Sequence, residues 1–516
     1  MGYTFKLRWR IGIVFCLLSL ILIFSSKSGQ PLIDQYSFRQ TQTALTAYWF
    51  HWGRPIQSVF YSETPIFGFP WQVPFEFPLY QALVSGFSKV TCISISQSGR
   101  LVSLFMYILT IPLFASLAMG LKLGYRFIFV TSMLWVCCPL YLYWSRAFLI
   151  ESTAVFFGFL FLALLDKSLD QKKYYLWFLT AFASAMCALV KATTYPSFAL
   201  AALGILILKD KKHNEKNTKQ IKENLISLAY LTAVWLIALL LTAGWTRHAD
   251  AIKQNNEITF LLTSKSLGAW NFGTWEKKLD LLTWENLFSR CIPEIIGSWW
   301  VLGGMMIGSL FLRRSEAIKY IWLLILFLLP MFIFTNLHVV HSYYQYANGF
   351  WLIFALGLVI THLTIRMNSK KASLIVVAIS ITQLGTYLKR YYPSLKACQS
   401  DAIEAGEFIN NKSQMDANII VVGDDWSPEI AFFSKRKCIY FPDWLSQERI
   451  KVVFNEISKR SEETYGQKPP FFVVIHKDRF SYYKEQNKQL IMENLAKFLP
   501  EKLQASKIGG YEIYGL

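Results

Sequence analysis

The chain has 516 residues, of which 54% are hydrophobic and 16% aromatic, with a mean hydropathy of +0.33. That composition excludes an ordinary soluble globular domain and a disordered chain, and points to an α-helical polytopic membrane protein. A formal charge of +19 would suggest nucleic acid in a soluble protein, but much of the excess lies in short loops between apolar runs, so no nucleic-acid partner is expected.

Crossing a bilayer takes roughly 17–25 apolar residues. The candidates are 10–27, 99–120, 126–143, 147–166, 174–190, 194–209, 225–244, 294–312, 319–336, 347–365 and 372–387, about eleven spans by this length criterion. The first, preceded by Lys6, Arg8 and Arg10, has the look of a signal peptide but lacks a convincing small-residue cleavage site, so it reads as a retained helix. Alternate loops are basic: Lys122 in 121–125, Lys167, Lys172 and Lys173 in 167–173, Lys211, Lys212 and Lys222 in 210–224, Arg313 and Arg314 in 313–318, and Arg366, Lys370 and Lys371 in 366–371. Short cytoplasmic loops are enriched in Lys and Arg. The pattern therefore places the N-terminus in the cytoplasm and the polar motifs on the opposite face.

Two long loops, 28–98 and 245–293, fall on that outer face and complete a membrane domain over 1–390. In the first, 41–52 and 75–87 read as short amphipathic helices suited to a membrane surface. In the second, Trp270-Asn271-Phe272-Gly273-Thr274-Trp275 suits an interfacial position. Beyond it, 391–516 reads as a small C-terminal α/β domain outside the cytoplasm, with strands at 418–422, 438–441 and 471–475 and helices at 402–411, 443–459 and 483–498. There is no internal repeat.

The first outer loop opens with Ile33-Asp34-Gln35-Tyr36-Ser37-Phe38-Arg39-Gln40-Thr41-Gln42-Thr43-Ala44. Arg39 suits phosphate because its planar fork binds two oxygens; the structural alternative is an Asp34–Arg39 salt bridge. Further on, Phe75-Glu76-Phe77-Pro78-Leu79-Tyr80-Gln81 sets Glu76 among aromatic rings. That setting can raise a carboxyl pKa and suit it to proton abstraction, although a Glu lifted into water at a helix start reads the same. Arg146 and Glu151 stand five apart, and a buried Glu151 needs a cation, either Arg146 or another. Lys191, followed by Ala192-Thr193-Thr194, breaks the inside bias of positive charge and can hold a phosphate. His338, His341, Tyr343, Tyr344 and Gln345 crowd the turn between the ninth and tenth candidates, offering hydrogen bonds to substrate. Two His are too few ligands for a metal site. No cofactor is demanded, and a divalent cation is left open.

Of the eight Cys, only Cys92, Cys291, Cys398 and Cys438 fall outside the predicted membrane segments. Cys398 and Cys438 are either a disulfide or two unpaired buried thiols; spacing does not decide between them.

In their order and sidedness, these motifs resemble the polytopic type-C glycosyltransferases that use polyprenyl-phosphate sugars, a group that includes protein mannosyltransferases and lipid A aminoarabinose transferases. The resemblance covers roughly 10–390 and runs through Arg39-Gln40-Thr41-Gln42-Thr43-Ala44 and Glu76-Phe77-Pro78-Leu79-Tyr80 (a family-39-like pattern). Better-known members carry Asp-Glu where Arg39-Gln40 stand and a Lys where Glu76 stands, so acid and base are exchanged between the two segments.

The resemblance implies an inverting transferase in the bacterial inner membrane, with its C-terminal domain periplasmic or extracellular. It would move a sugar from a polyprenyl-phosphate donor to an envelope lipid, glycan or protein. Under that reading Glu76 or Asp34 is the base, Arg39, Lys191 and Arg146 face the donor phosphate, and Gln40, Tyr80, Glu151, His341 and Tyr344 contact substrate. The competing readings are an O-antigen ligase or polymerase and a transporter of lipid-linked glycan. Transporters tend to show repeats and mid-membrane charges, which are not seen here.

Overall fold

The computed structural model describes residues 28–52, 59–210, 218–365, 367, 369–396, 399–465, 471–499 and 504–515. The chain forms two compact units. Among the described residues, the first consists of those in 28–29, 100–210, 218–245 and 268–396; the second gathers those in 30–99, 246–267 and the C-terminal part from 399.

The first unit is helical. Five helices are long and apolar enough to cross a membrane: Ile95–Gly120, Glu151–Gln171, Ile221–Lys253, Arg314–Ile333 and Lys371–Arg390. A bent pair, Leu281–Ile296 and Trp299–Ser309, meets at 84° and passes the same test as one span. Shorter apolar helices are Tyr125–Val136, Tyr174–Val190, Tyr195–Lys209 and Gly349–Thr364. Every sequence candidate except 10–27, which lies outside the described residues, falls on one of these elements.

Two candidates are broken in ways the hydropathy reading did not foresee. The 126–143 run stops at Val136 and restarts as Pro139–Trp144. Pro139 lacks the N–H that a continuous helix would use, and it holds Cys138 extended. The 294–312 run is bent at Gly297, whose φ of +92° is a conformation L side chains rarely adopt; Ser298 then caps the next helix by accepting from Val301 N.

Helix packing in this unit is close and aromatic. At Gly158 an added Cβ would meet the ring of Phe198 at 2.4 Å, so the absence of a side chain lets two helices approach. Trp135, Tyr141, Phe159, Phe350 and Phe354 are buried together, with centroids such as Trp135–Phe159 at 5.3 Å and Phe159–Phe350 at 4.9 Å. Ring pairs at these separations contribute beyond their area burial.

The second unit carries a five-stranded sheet in the order β2-β1-β3-β5-β4. Its strands are β1 Asn418–Val422, β2 Lys437–Phe441, β3 Phe471–His476, β4 Ser506–Ile508 and β5 Tyr511–Tyr514. β1 pairs in parallel with β2 and β3, while β5 runs antiparallel to β3 and β4. β1 and β3 are apolar except for Asn418 at the start of β1 and His476 at the end of β3, as expected where both faces are covered. The edge of β2 is not left open: Cys438 N donates to Pro65 O and Tyr440 N to Ile66 O, each at 3.0 Å. Residues 65–67 thereby extend the sheet.

That loop is also where the expected surface helices prove different. The first runs Ser37–Trp52, and Gln40 to Tyr48 are all buried; the second runs Leu79–Thr91. The Ser37–Trp52 helix is part of a packed core, not an amphipathic strip. Trp426, just past β1, sits against Phe38, Phe67 and Phe75 at 4.7, 5.8 and 6.1 Å. Cys398 lies outside the described residues, and so does its pairing with Cys438.

Candidate functional site

In the second unit the polar motif of the Ser37–Trp52 helix is tied down residue by residue. Gln40 is fully buried; its amide nitrogen donates to Asp34 Oδ1 at 2.7 Å and to Gln35 O at 3.0 Å. Asp34 is therefore held at the entry of the helix, itself buried. Thr41 and Thr43 donate back to the carbonyls of Ser37 and Arg39, at 2.8 and 3.0 Å, a habit of hydroxyls inside helices. Arg39 reaches across the loop. One guanidinium nitrogen donates to Gln42 Oε1 and another forms an ion pair with Glu76.

Both partners of that pair keep some access to solvent, 16% for Arg39 and 25% for Glu76. Glu76 is thus neither an isolated acid among rings nor a side chain lifted into water, but one half of a charge pair. Tyr80 is fully buried, and its hydroxyl donates to Gly99 O at 2.8 Å. Lys253 Nζ stands 5.4 Å from the Phe75 ring centre and donates to Leu262 O at 3.0 Å, a second fixed cation near the Phe75-Glu76 segment.

The first unit holds a separate cluster. Glu151 begins the Glu151–Gln171 helix, and Lys191 ends the Tyr174–Val190 helix. They form a buried ion pair, so the cation that Glu151 needs is Lys191. The Lys191 ammonium also lies 4.0 Å from the Tyr344 ring centre and 5.1 Å from that of Tyr343, in cation–π contact. Arg146 is buried, with its guanidinium carbon 5.6 Å from the Tyr143 ring centre.

The turn that carries Tyr343 and Tyr344 is fixed from behind. Tyr141 OH donates to Tyr346 O and accepts from Phe350 N, both at 2.8 Å, and Ser152 donates to Tyr346 OH at 3.0 Å. His341 stacks on Tyr344, centroids 5.7 Å apart. His338 is buried, and burial, reinforced by the positive charges of Lys191 and Arg290, pushes its imidazole pKa down to about 3. It is a neutral ring at physiological pH. Arg290 donates to the His338 and Val339 carbonyls, closing the end of the Thr335–Val340 helix. Among the described residues, no group of three or more His, Cys, Asp or Glu could hold a metal ion.

Sequence reading thus singled out Arg39, Glu76, Lys191 and Glu151 without their pairings, and passed over Gln42, Gln81, Lys253 and Arg290. Neutral amides carry no charge signal. The two cations lie in a long polar loop where charge is ordinary.

Known structures share this architecture. The crystal structure of ArnT from Cupriavidus metallidurans bound to undecaprenyl phosphate superposes with a TM-score of 0.64 at 10% identity, covering 98% of both chains. The fold is that of the polytopic type-C glycosyltransferases. The apo state of the same ArnT gives a TM-score of 0.61, again at 10% identity and over 98% of both chains. The arabinofuranosyltransferase AftD from Mycobacteria gives 0.56 at 12% identity, over 98% of this chain and 40% of AftD. No family model matches the sequence, and no curated protein matches it. Within this fold, residues 30–99, 246–267 and the C-terminal sheet belong to the second unit, and the long apolar helices belong to the first.

Proposed function

We propose that the chain is an inverting membrane glycosyltransferase that takes a sugar from a polyprenyl-phosphate carrier and passes it to an envelope lipid, glycan or protein. The reading places it in the bacterial inner membrane with its transfer chemistry on the outer face. The observation that carries it is the Arg39–Glu76 pair, partly open to solvent and lined by polar side chains, within a type-C fold.

Inversion needs a base that removes the acceptor proton and cations that stabilise the leaving phosphate. Glu76 fits the first role better than Asp34, because Asp34 is buried and engaged by Gln40. The ion pair with Arg39 fixes the position of the Glu76 carboxylate beside the polar pocket. Within the first unit, Lys191 and Arg146 are the cations this reading assigns to phosphate, and Tyr344 and Glu151 fix the Lys191 ammonium. His341 offers a hydrogen bond to substrate. The donor class follows from the likeness to ArnT, whose crystal structure holds undecaprenyl phosphate.

The test is mass spectrometry of envelope glycans from cells with and without the gene. Loss of one defined sugar, restored by the wild-type chain and not by Glu76→Gln, is the expected result. An unchanged glycan profile contradicts the proposal.

A further inference from the structure

The Arg39–Glu76 pair lines a pocket of about 10 Å³ whose other walls include Gln42, Gln81, Thr46 and Thr64. Two of these walls are chemically unfinished. Gln42 and Gln81 are only 2% and 6% exposed, yet Gln42 Nε2 and Gln81 Oε1 have no hydrogen-bond partner among the described residues. The orientation of Gln42 is set by its neighbour: its oxygen accepts from Arg39, which leaves the amide nitrogen for the pocket. Thr46 and Thr64, by contrast, satisfy each other at 2.6 Å. A buried donor and a buried acceptor left open beside one small cavity are costly unless something fills it.

Size and polarity together admit a water molecule or a single hydroxyl group. A space of about 10 Å³ takes roughly one water-sized group. A hydroxyl both accepts and donates, matching one amide N–H and one amide oxygen. A phosphate is too large for that space, and its charge would face the Glu76 carboxylate as well as Arg39. An ammonium group has no lone pair for Gln42.

We infer that this pocket receives the attacking hydroxyl of the acceptor, so that transfer forms a carbon–oxygen–carbon glycosidic link and not a glycosyl phosphate. The inference rests on the reading above, in which Glu76 is the base. Gln42 donates to the hydroxyl oxygen and leaves a lone pair for attack. The hydroxyl hydrogen rests on Gln81 Oε1 and turns to Glu76 as the new bond forms. The oxygen bonds to the anomeric carbon, the bond from that carbon to the carrier phosphate breaks, and its electron pair leaves on the phosphate oxygen. The proton ends on Glu76.

The experiment is linkage analysis of the sugar that disappears when the gene is deleted, using mild acid hydrolysis and phosphorus-coupled NMR on the isolated envelope component. An acid-stable sugar with no phosphorus coupling is expected. A sugar attached to phosphorus overturns the hydroxyl pocket while leaving the glycosyltransferase reading intact; loss of no sugar at all removes both. In complemented cells, Gln42→Leu and Gln81→Leu should each lower the sugar at least tenfold at normal protein level. Wild-type sugar content with both variants also overturns the assignment. The linkage result does not depend on whether either variant folds.

Discussion

At the scale of single residues, the charged groups do their work in pairs, and the pairs were not legible in the sequence. Arg39 and Glu76 lie in separate motifs 37 positions apart, and only the packing of two loop helices brings them together. The Glu151–Lys191 pair was half legible: a buried Glu requires a cation, but spacing pointed to Arg146 and did not single out Lys191. Pairing also separates structural from chemical roles. Lys191→Met leaves the Glu151 carboxylate alone in the interior, which should cost about 3–5 kcal/mol in thermal unfolding of the purified protein. The double variant Lys191→Met/Glu151→Gln, with both charges gone, should regain most of that stability and still fail to transfer sugar. Full transfer by the double variant would remove Lys191 from the phosphate site. For Arg39, the planar fork predicts that Arg39→Lys is impaired less than Arg39→Ala, the latter losing roughly a hundredfold or more in rate. Equal rates for the two variants in a sugar-transfer assay would argue against that geometry.

At the scale of elements, hydropathy located the apolar helices and the strands β1, β2 and β3, because each depends on a local run of side chains. It missed what depends on single backbone positions. Pro139 and Gly297 interrupt runs that hydropathy averages over. At Gly297 an added Cβ would lie 3.0 Å from Gln383 N on a backbone of positive φ. Gly297→Ala should therefore destabilise the bent pair by about 1–3 kcal/mol, seen as a lower Tm in detergent. The short strands β4 and β5 were also passed over, being three and four residues long. Their Gly509-Gly510 turn was a readable hairpin signal.

The loop after β1 carries a pH dependence. Burial, reinforced by the charge of Asp443, raises the Asp425 carboxyl from 3.8 to about 7. Its folded-state pKa lies above the unfolded one, so the folded state holds the proton more tightly and its stability falls as pH rises from about 4 to about 7. Denaturation of the second unit across that range should show the slope, and Asp425→Asn should flatten it and be the more stable form above pH 7. A slope unchanged by Asp425→Asn would place its origin elsewhere.

At the scale of the molecule, the two units divide the chain differently from the sequence. Hydropathy separates membrane from outer domain at about residue 390, whereas the packed second unit recruits the first outer loop and part of the second. The reason is physical: residues 63–67 bond to the edge of β2 and the Ser37–Trp52 helix buries its face against the C-terminal domain, contacts between segments hundreds of positions apart that no local pattern encodes. Reporter fusions test the sidedness on which the outer-face assignment depends. Fusions after residue 390 should be active in the exported compartment and fusions at 210–224 in the cytoplasm; the reverse would place the transfer chemistry on the wrong side for a lipid-linked donor in the outer leaflet.

The central claim is transfer itself, and it is measured most directly with the purified full chain in nanodiscs supplied with polyprenyl-phosphate sugars and envelope acceptor extract. The account predicts sugar moved to the acceptor by the wild type, with Glu76→Gln and Arg39→Ala reduced about a hundredfold. Movement of the lipid between leaflets with no sugar transferred would contradict it and make the chain a transporter.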